Sequence, residues 1–338
     1  MNTRTTLATA LSLAATLSTF ADIKVNENLM INGYAAGAYE YQKVKGSPAT
    51  DSVFDGSKDT PSADAVKTNF NFNYKPVSGT VSLYYVPNLP KNELTVLDAF
   101  ATYDVGGGLS VTGGKFLSYL GYEAFDTVNM AQITYAPVTI GTLGAIPAYH
   151  TGVRLDYGDK DVSYGVAIVD SVFSNTFARG DGELVHNAGF EAFVKYTAIK
   201  DVTLWAGLAH DTKGNSTTNK KESTTVLDFW AEYKLSKDAT VAAEFCTKDG
   251  GEFAKGSTWL AYLNYAIDAK FSAVFRVGGE NLSGKTKTIA NNFTQYTLGP
   301  SYKASENLTI RAEYSVYDYS GKGAKDKNLL GVQAIFKF

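Results

Sequence analysis

The chain contains little of what metal sites and small disulfide-bonded folds require. It has one cysteine, Cys246, and three histidines among 338 residues. A single cysteine excludes an intrachain disulfide and cysteine-based metal sites. His150, His186 and His210 lie far apart, without the spacing of metal ligands, and no serine–histidine signature of a hydrolase is present. We therefore expect no metal, no cofactor and no catalytic residues.

Long hydrophobic segments and strongly basic segments are also missing. Beyond the N-terminal region, no stretch approaches the roughly 18 consecutive apolar residues of a transmembrane helix. The formal net charge is −3 and lysine and arginine form no dense stripe, so no nucleic-acid partner is expected. If the chain is exported, it is soluble in a periplasm, secreted, or inserted in a membrane as a barrel.

The N-terminus has the features of an export signal. Arg4 precedes an apolar run, and Thr19 and Ala21 are the small residues that a cleavage site after Ala21 requires. A buried N-terminal helix is the alternative. We predict a signal peptide over residues 1–21 and one exported domain over residues 22–338.

Aromatic residues and period-two alternation are what the sequence has in abundance. Tyrosine occurs 22 times and phenylalanine 19 times, against eight prolines, a composition that favours strands. Apolar and polar side chains alternate through residues 65–75, 225–235 and 308–317. About 16 such segments follow one another, each near the ~9–11 residues that cross a bilayer at a tilt. No segment has a sustained helical period.

The connections between these segments alternate in length. Short turns lie between one pair of strands and longer polar loops between the next, which is the layout of transmembrane barrels. An even number of strands places both chain ends on the short-turn side. The pattern predicts an all-β, antiparallel up-and-down barrel with short periplasmic turns and long extracellular loops.

Aromatic residues indicate which face of the strands meets lipid. Every strand that runs toward the short-turn side ends with an aromatic residue in the apolar register. Such a ring fits the membrane–water boundary, whereas a soluble core has no reason to repeat it. The predicted girdle consists of Tyr74, Tyr103, Tyr157, Tyr196, Tyr233, Tyr265, Tyr302 and Phe338.

The opposite register carries ionic side chains, including Lys67, Glu191, Asp228, Glu244 and Glu313. A lysine or arginine that faces the middle of a bilayer costs roughly 2–4 kcal/mol, so this face must meet water. About 16 strands enclose a lumen too wide for side chains to fill. The sequence therefore predicts a water-filled barrel in the outer membrane, surrounded by lipid.

One segment resembles a known family. It contains Gly114-Lys115-Phe116, Gly121-Tyr122-Glu123, Pro147, His150, Gly152 and Arg154. These residues are similar to the motif region of the OmpL-like β-barrel porin family, and the resemblance implies a channel. The architecture is also similar to that of 16-stranded trimeric porins, which implies a homotrimer. The final Phe338 resembles the terminal aromatic signal that the barrel-assembly machinery recognises.

The longest loop, residues 117–149, is unusually apolar for a solvated loop. We expect it to fold into the lumen, since a long apolar loop outside a barrel would be an exposed liability. Capping the mouth or contacting a neighbouring subunit are the alternatives. His150 and Lys115 are its predicted anchors.

Charged residues near this loop are the candidates for a pore constriction. Glu123 and Asp126 lie on the loop, and Arg154, Arg276 and Arg311 have the inward register of the wall. In the trimeric porins, acids of the third loop face a basic wall, and opposed charges would set ion preference. The alternative is a salt bridge that fixes the loop to the wall, and Glu123 with Arg154 would serve both roles.

The function that these features favour is passive diffusion of small hydrophilic solutes and ions through a porin. A substrate-selective channel is one alternative, with a binding site among inward aromatics such as Trp205, Trp230 and Tyr262. A non-conducting barrel that acts as an enzyme or adhesin is another, and in it the third loop would plug the lumen.

Overall fold

The fold is a closed antiparallel β-barrel. The computed structural model describes residues 22–53, 64–87, 94–123, 125–173, 188–214, 221–251, 254–321 and 323–338. Its 18 strands form one sheet that closes on itself. Sixteen strands make up the barrel wall, and two short strands, β1 and β3, pair with β2. The predicted signal peptide lies outside the described residues.

The strands follow each other around the barrel in chain order. They are β1 (Ile23–Lys24), β2 (Leu29–Val44), β3 (Ala49–Val53), β4 (Ala65–Tyr74), β5 (Val77–Tyr85), β6 (Thr95–Gly106), β7 (Leu109–Leu117), β8 (Tyr149–Gly158), β9 (Val162–Val169), β10 (Gly189–Tyr196), β11 (Val202–Gly214), β12 (Lys221–Lys234), β13 (Ala239–Asp249), β14 (Lys255–Ala266), β15 (Phe271–Leu282), β16 (Asn292–Lys303), β17 (Leu308–Ser320) and β18 (Lys327–Lys337).

Helices are few and short in the described part of the chain. A 3-10 turn covers Thr127–Asn129, and the α-helical turns are α1 (Pro137–Ile140) and α2 (Thr286–Ile289). None of the described helices has the length and apolar character to span a membrane.

The predicted 16-stranded barrel is confirmed, and the main addition is β3. Residues 49–53 are not among the alternating segments that the sequence predicts as strands, and they belonged to a predicted long loop over residues 42–64. In the structure β2 continues to Val44, the chain turns at Gly46 with a φ of 77°, and residues 49–53 pair back onto Tyr39–Lys43. Strand pairing with the extended β2, rather than side-chain periodicity, defines this element.

The barrel closes between its last and first long strands. β18 pairs with β2 from Lys327 opposite Val44 to Lys337 opposite Tyr34. At the end of this seam the Gly33 amide donates to the Phe338 carbonyl at 2.7 Å, and the Phe338 amide donates to the Gly33 carbonyl at 3.0 Å. Because every strand then has two neighbours, the wall has no free edge in lipid.

Several of the turns share one hydrogen-bonding pattern, in which a polar side chain stabilises the turn. A side-chain oxygen accepts hydrogen bonds from the backbone amides two and three residues later, which satisfies the turn and starts the next strand. The pairs are Asn26 with Asn28 and Leu29, Asp159 with Asp161 and Val162, Ser236 with Asp238 and Ala239, Asp268 with Lys270 and Phe271, and Ser305 with Asn307 and Leu308. The same amides lower the pKa of the Asp159 and Asp268 carboxyls.

The two faces of the wall differ as the alternation predicts. Apolar side chains such as Val153, 56% exposed, and Phe229, 47% exposed, cover the outside. Of the eight aromatics proposed as a girdle, Tyr74, Tyr103, Tyr196, Tyr233 and Tyr265 are exposed. Tyr157 stacks on Tyr164 with ring centroids 5.0 Å apart, Tyr302 lies 4.7 Å from Phe271, and Phe338 is half-buried over Gly33.

A side chain at residue 33 should destabilise the seam. A Cβ at this position would lie 2.1 Å from the Lys67 carbonyl oxygen and 2.8 Å from the Phe338 ring. We expect Gly33→Ala to destabilise the folded barrel by about 1–3 kcal/mol, the usual cost of overpacking. Unfolding in urea, followed by the gel shift between folded and unfolded barrel, measures the change.

Gly113→Ala is the matched control, because a Cβ there meets no heavy atom within 4 Å. It should unfold like the unaltered chain. Equal stabilities of the two variants would show that the seam tolerates a side chain at residue 33.

Candidate channel site

The third long loop crosses the lumen instead of standing above it. It connects the end of β7 at Leu117 to the start of β8 at Tyr149. Apolar loop side chains such as Leu120, Ile133 and Leu143 are buried, and they pack against inward residues of the wall. The prediction that this loop folds into the lumen is confirmed.

Inward carboxylates of the wall accept hydrogen bonds from the backbone amides of the loop. The loop has little regular structure, so its buried amides need partners from elsewhere. The contacts are Glu191 with the Tyr119 amide at 3.2 Å, Asp228 with Gly121 at 2.8 Å, Glu244 with Tyr122 at 2.7 Å, Glu313 with Ile133 at 2.5 Å and Thr134 at 2.9 Å, and Glu280 with Thr142 at 2.8 Å and Leu143 at 2.5 Å.

Inward cations complete the pattern by donating to the carbonyls of the loop. Arg311 donates to the carbonyls of Thr127, Met130 and Gln132 at 2.6–2.7 Å. Arg276 donates to Thr134 at 2.8 Å, and Lys248 donates to Leu143 at 2.8 Å and Gly144 at 2.9 Å. The charges of the lumen wall therefore match the polar groups of the loop backbone by sign.

Glu123 forms its ion pair with Arg276. The Arg276 Nη1 to Glu123 Oε1 distance is 2.5 Å, and both side chains are buried. Glu123 also accepts from the Ala136 amide at 2.7 Å and from Gln132 Nε2 at 2.6 Å. Burial raises the pKa of Glu123, while Arg276 opposes the rise. The partner considered from the sequence, Arg154, contacts other groups.

Arg154 and Asp126 are the two constriction candidates that keep contact with water. Arg154 Nε lies 3.1 Å from Asp156, and its side chain is 22% exposed. Its guanidinium also lies over the Phe116 ring at 4.9 Å from the centroid, within the range of a cation–π contact. Asp126 pairs with Lys67 at 2.8 Å and is 24% exposed. Arg276 and Arg311, by contrast, are buried against the loop.

The two predicted anchors have different positions. His150 lies at the base of the loop, with Nε2 at 3.3 Å from Glu191, and Glu191 accepts from Ser118 Oγ at 2.6 Å. Lys115 has the outward register of β7, and its Nζ donates to the Val96 carbonyl of β6 at 2.7 Å. The anchoring roles stay predictions.

Comparison with known families agrees with this geometry. The family model described as "Putative beta-barrel porin-2, OmpL-like" matches residues 25–338 of the chain. The chain belongs to the OmpL-like porin family. No relative was found among curated protein sequences.

Solved structures show that this OmpL-like porin shares its fold with other outer-membrane proteins. The outer membrane channel DcaP of Acinetobacter baumannii is 13% identical with a TM-score of 0.68, covering 92% of this chain and 97% of DcaP. An anion-selective porin from Comamonas acidovorans is 10% identical with a TM-score of 0.69, covering 92% and 99%. The trimer form of OmpT, an outer membrane protein of Vibrio cholerae, is 15% identical with a TM-score of 0.58, covering 92% and 100%.

Inward aromatics of the porin form one continuous stack beneath the loop. Phe193 and Trp205 have centroids 6.3 Å apart, Trp205 and Trp230 lie 5.7 Å apart with rings 6° from parallel, and Tyr122 of the loop meets Trp230 edge-on at 5.4 Å. Trp205 is only 5% exposed. Tyr262 donates to Gln132 at 3.2 Å. The aromatics considered as a solute site therefore face the loop.

Sequence reasoning assigned Glu191, Asp228, Glu244 and Glu313 to the lumen but missed their partners, and it did not single out Glu280. Glu191, Asp228, Glu244, Glu280 and Glu313 cap loop amides, a role that we had not predicted for any of them. Alternation gives the direction of a side chain, but it does not place an irregular loop at hydrogen-bonding distance. The available signal was the coincidence of an apolar loop with many inward charges of both signs.

Loss of Arg276 should strongly destabilise this porin. Arg276→Met leaves the buried Glu123 without its cation, which typically costs ~3–5 kcal/mol. Adding Glu123→Gln removes the isolated charge and should restore most of the lost free energy of unfolding. Chemical unfolding of the two single variants and the double variant measures the coupling.

Arg154→Met is the control, because that side chain is partly solvated and should cost no more than about 1 kcal/mol. A double variant no more stable than Arg276→Met alone would contradict the assignment of Glu123 to Arg276.

Proposed function

We propose that this porin forms an outer-membrane channel for passive diffusion of small hydrophilic solutes and ions. The observation that carries the proposal is the orientation of the closed barrel. Its apolar register faces outward and its ionic register faces inward, so the molecule suits a lipid surround and a hydrated interior. Membership of the OmpL-like porin family supports a channel rather than an enzyme.

The aromatic ring at the short-turn ends supports the placement of the barrel in the membrane. The exposed tyrosines among the eight girdle residues would set their rings at the edge of the hydrocarbon and their hydroxyls in water. We also propose that residues 1–21 direct export. Phe338, which follows β18 at the seam, would be recognised by the barrel-assembly machinery.

Asp126 and Arg154 are the charges that we propose to face permeating solutes. Both keep partial exposure, and each already has a counter-charge, Lys67 for Asp126 and Asp156 for Arg154. Mixed and locally balanced charges favour weak ion preference. The comparison porin from Comamonas acidovorans is described as anion-selective, but the paired charges at Asp126 and Arg154 give no reason to propose the same property here.

Single-channel recording in planar bilayers tests the proposed function. Conductance steps should scale with salt concentration, as expected for a water-filled pore. Arg154→Ala should shift the permeability ratio toward cations and Asp126→Asn toward anions. Each shift should stay below about tenfold, because one charge in water contributes about 1 kcal/mol at 4 Å.

Lys237→Ala is the control, since this lysine lies in a short turn with its side chain 90% exposed. It should leave the permeability ratio unchanged. A purified, folded barrel that gives no conductance in any variant would contradict the channel, and a strong ion preference in the unaltered protein would contradict the balanced lumen.

We further propose that the porin assembles as a homotrimer. Support comes from the shared fold with porins, one of which is described in a trimer form. Light scattering of the detergent-purified protein, corrected for bound detergent, should give three times the mass of the exported chain. A mass of one chain under mild detergent conditions would reject the trimer.

A further inference from the structure

We propose that Arg154 and the aromatic rings around it form a binding subsite in the lumen for small organic carboxylates. The subsite rests on the proposed channel function and adds to it a class of solute that the channel binds as well as passes. The three inward arginines of the described wall, Arg154, Arg276 and Arg311, differ in how many of their guanidinium nitrogens the protein itself binds.

Two of these arginines are bound to the third loop through their terminal nitrogens. Arg276 uses Nη1 for the Glu123 carboxylate and Nη2 for the Thr134 hydroxyl. Arg311 uses Nη1 and Nη2 for three carbonyls of the loop. Both side chains are buried. Neither guanidinium therefore keeps a terminal donor that a solute in water could reach.

Arg154 keeps its terminal nitrogens available. Its side chain is 22% exposed, and its ion pair is made by Nε, which lies 3.1 Å from Asp156. Nε is buried, whereas Nη1 and Nη2 are not, and no oxygen of the described residues accepts a hydrogen bond from either Nη atom. The end-on edge of the guanidinium is therefore in contact with water. Its two parallel N–H groups match the two oxygens of a carboxylate.

The guanidinium of Arg154 is already oriented by its neighbours. Its Cζ atom lies 4.9 Å from the centroid of the Phe116 ring, and Asp156 holds the Nε side. Asp156 is held in turn, because the Tyr119 hydroxyl of the third loop donates to its Oδ1 at 2.6 Å. The absence of a side chain at Gly165 makes room for this pair, since a Cβ there would lie 2.6 Å from Asp156 Oδ1. A group oriented in advance loses less entropy when a solute binds.

Aromatic surface lies beside the guanidinium. Phe100 of β6 pairs with Gly114 of β7, which pairs with Gly152 of β8, so these two neighbouring positions carry no side chain. The Cζ atom of Arg154 is 6.0 Å from the Phe100 centroid and 5.5 Å from the Tyr119 centroid. Both rings are half-buried, so part of each can contact a solute. This surface favours a carboxylate on an apolar or aromatic body over an inorganic anion.

The ion pair with Asp156 determines how the subsite acts on different anions. Arg154 and Asp156 together carry no net charge, so an inorganic ion that passes at a distance meets only a weak field. A carboxylate in contact with the two Nη atoms gains charge-assisted hydrogen bonds, which act at short range and need the right geometry. One channel can therefore combine a weak preference between inorganic ions with saturable binding of organic acids.

Benzoate is a suitable probe, with acetate and benzamide as matched comparisons. In single-channel recordings in potassium chloride, benzoate should reduce the current in a saturable manner. Acetate lacks the aromatic body and benzamide lacks the charge, so each should need at least about fivefold higher concentration for the same block. If either compound blocked as well as benzoate, the combined recognition of carboxylate and ring would be wrong.

Three variants, each shown to be folded by its gel shift, test the residues. Arg154→Lys keeps the charge but loses the paired donors, so the concentration of benzoate for half-block should rise at least about fivefold. Asp156→Asn removes the nearby negative charge and should lower that concentration about threefold. Lys195→Gln is the matched control, because Lys195 is a half-buried lysine opposite the inward Trp205. An equal loss of block in Lys195→Gln and Arg154→Lys would assign the block to overall lumen charge and reject the subsite.

A binding measurement without transport separates the subsite from the channel. Saturation-transfer NMR of benzoate with the detergent-purified barrel should give a signal that decreases in Arg154→Lys and stays unchanged in Lys195→Gln. Conductance in potassium chloride without Arg154-dependent binding of benzoate would reject the subsite and leave the channel intact. Arg154-dependent binding in a barrel that never conducts would reject the channel and retain the subsite.

Discussion

The structure depends on hydrogen bonds to the backbone of the third loop, an irregular segment that is buried inside the barrel. Backbone amides and carbonyls removed from water must find hydrogen-bond partners, and the described residues of the third loop include only two short helical turns that supply their own. The wall provides the missing partners, with carboxylates for amides and guanidinium or ammonium groups for carbonyls. The high charge of the lumen is therefore inseparable from the apolar character of the loop. Neither would be stable in this position without the other.

The same requirement explains the outer architecture. A strand in lipid has no water to bond, so the sheet has to close, and the β18–β2 seam accomplishes this with backbone pairs that continue to Phe338. In the closed barrel, the apolar side chains face outward to lipid and the ionic side chains face the interior. Side-chain oxygens such as those of Asp159 and Asp268 satisfy the short turns locally, without contributions from the lumen.

Period-two alternation predicted the sixteen wall strands, because each of them buries one face and exposes the other to lipid. The aromatic ring and the ionic character of the opposite register then placed Glu191, Asp228 and Glu313 inside. Alternation did not predict β3, whose pairing follows the extension of β2. Sequence reasoning also considered Arg154 as the partner of Glu123, while the structure shows Arg276. The path of a loop with almost no periodicity depends on three-dimensional packing, which no local pattern in the sequence records.

The seam between β18 and β2 joins parts of the sequence that lie far apart, since Phe338 pairs with Gly33. The first long strand must therefore wait for residues 327–338 to be synthesised before the cylinder can shut. A copy that lacks β18 would leave β2 and β17 with unpaired edges in the bilayer, a surface suited to incorrect pairing with the strands of other molecules. Closure of the barrel thus depends on a contact that forms late in synthesis.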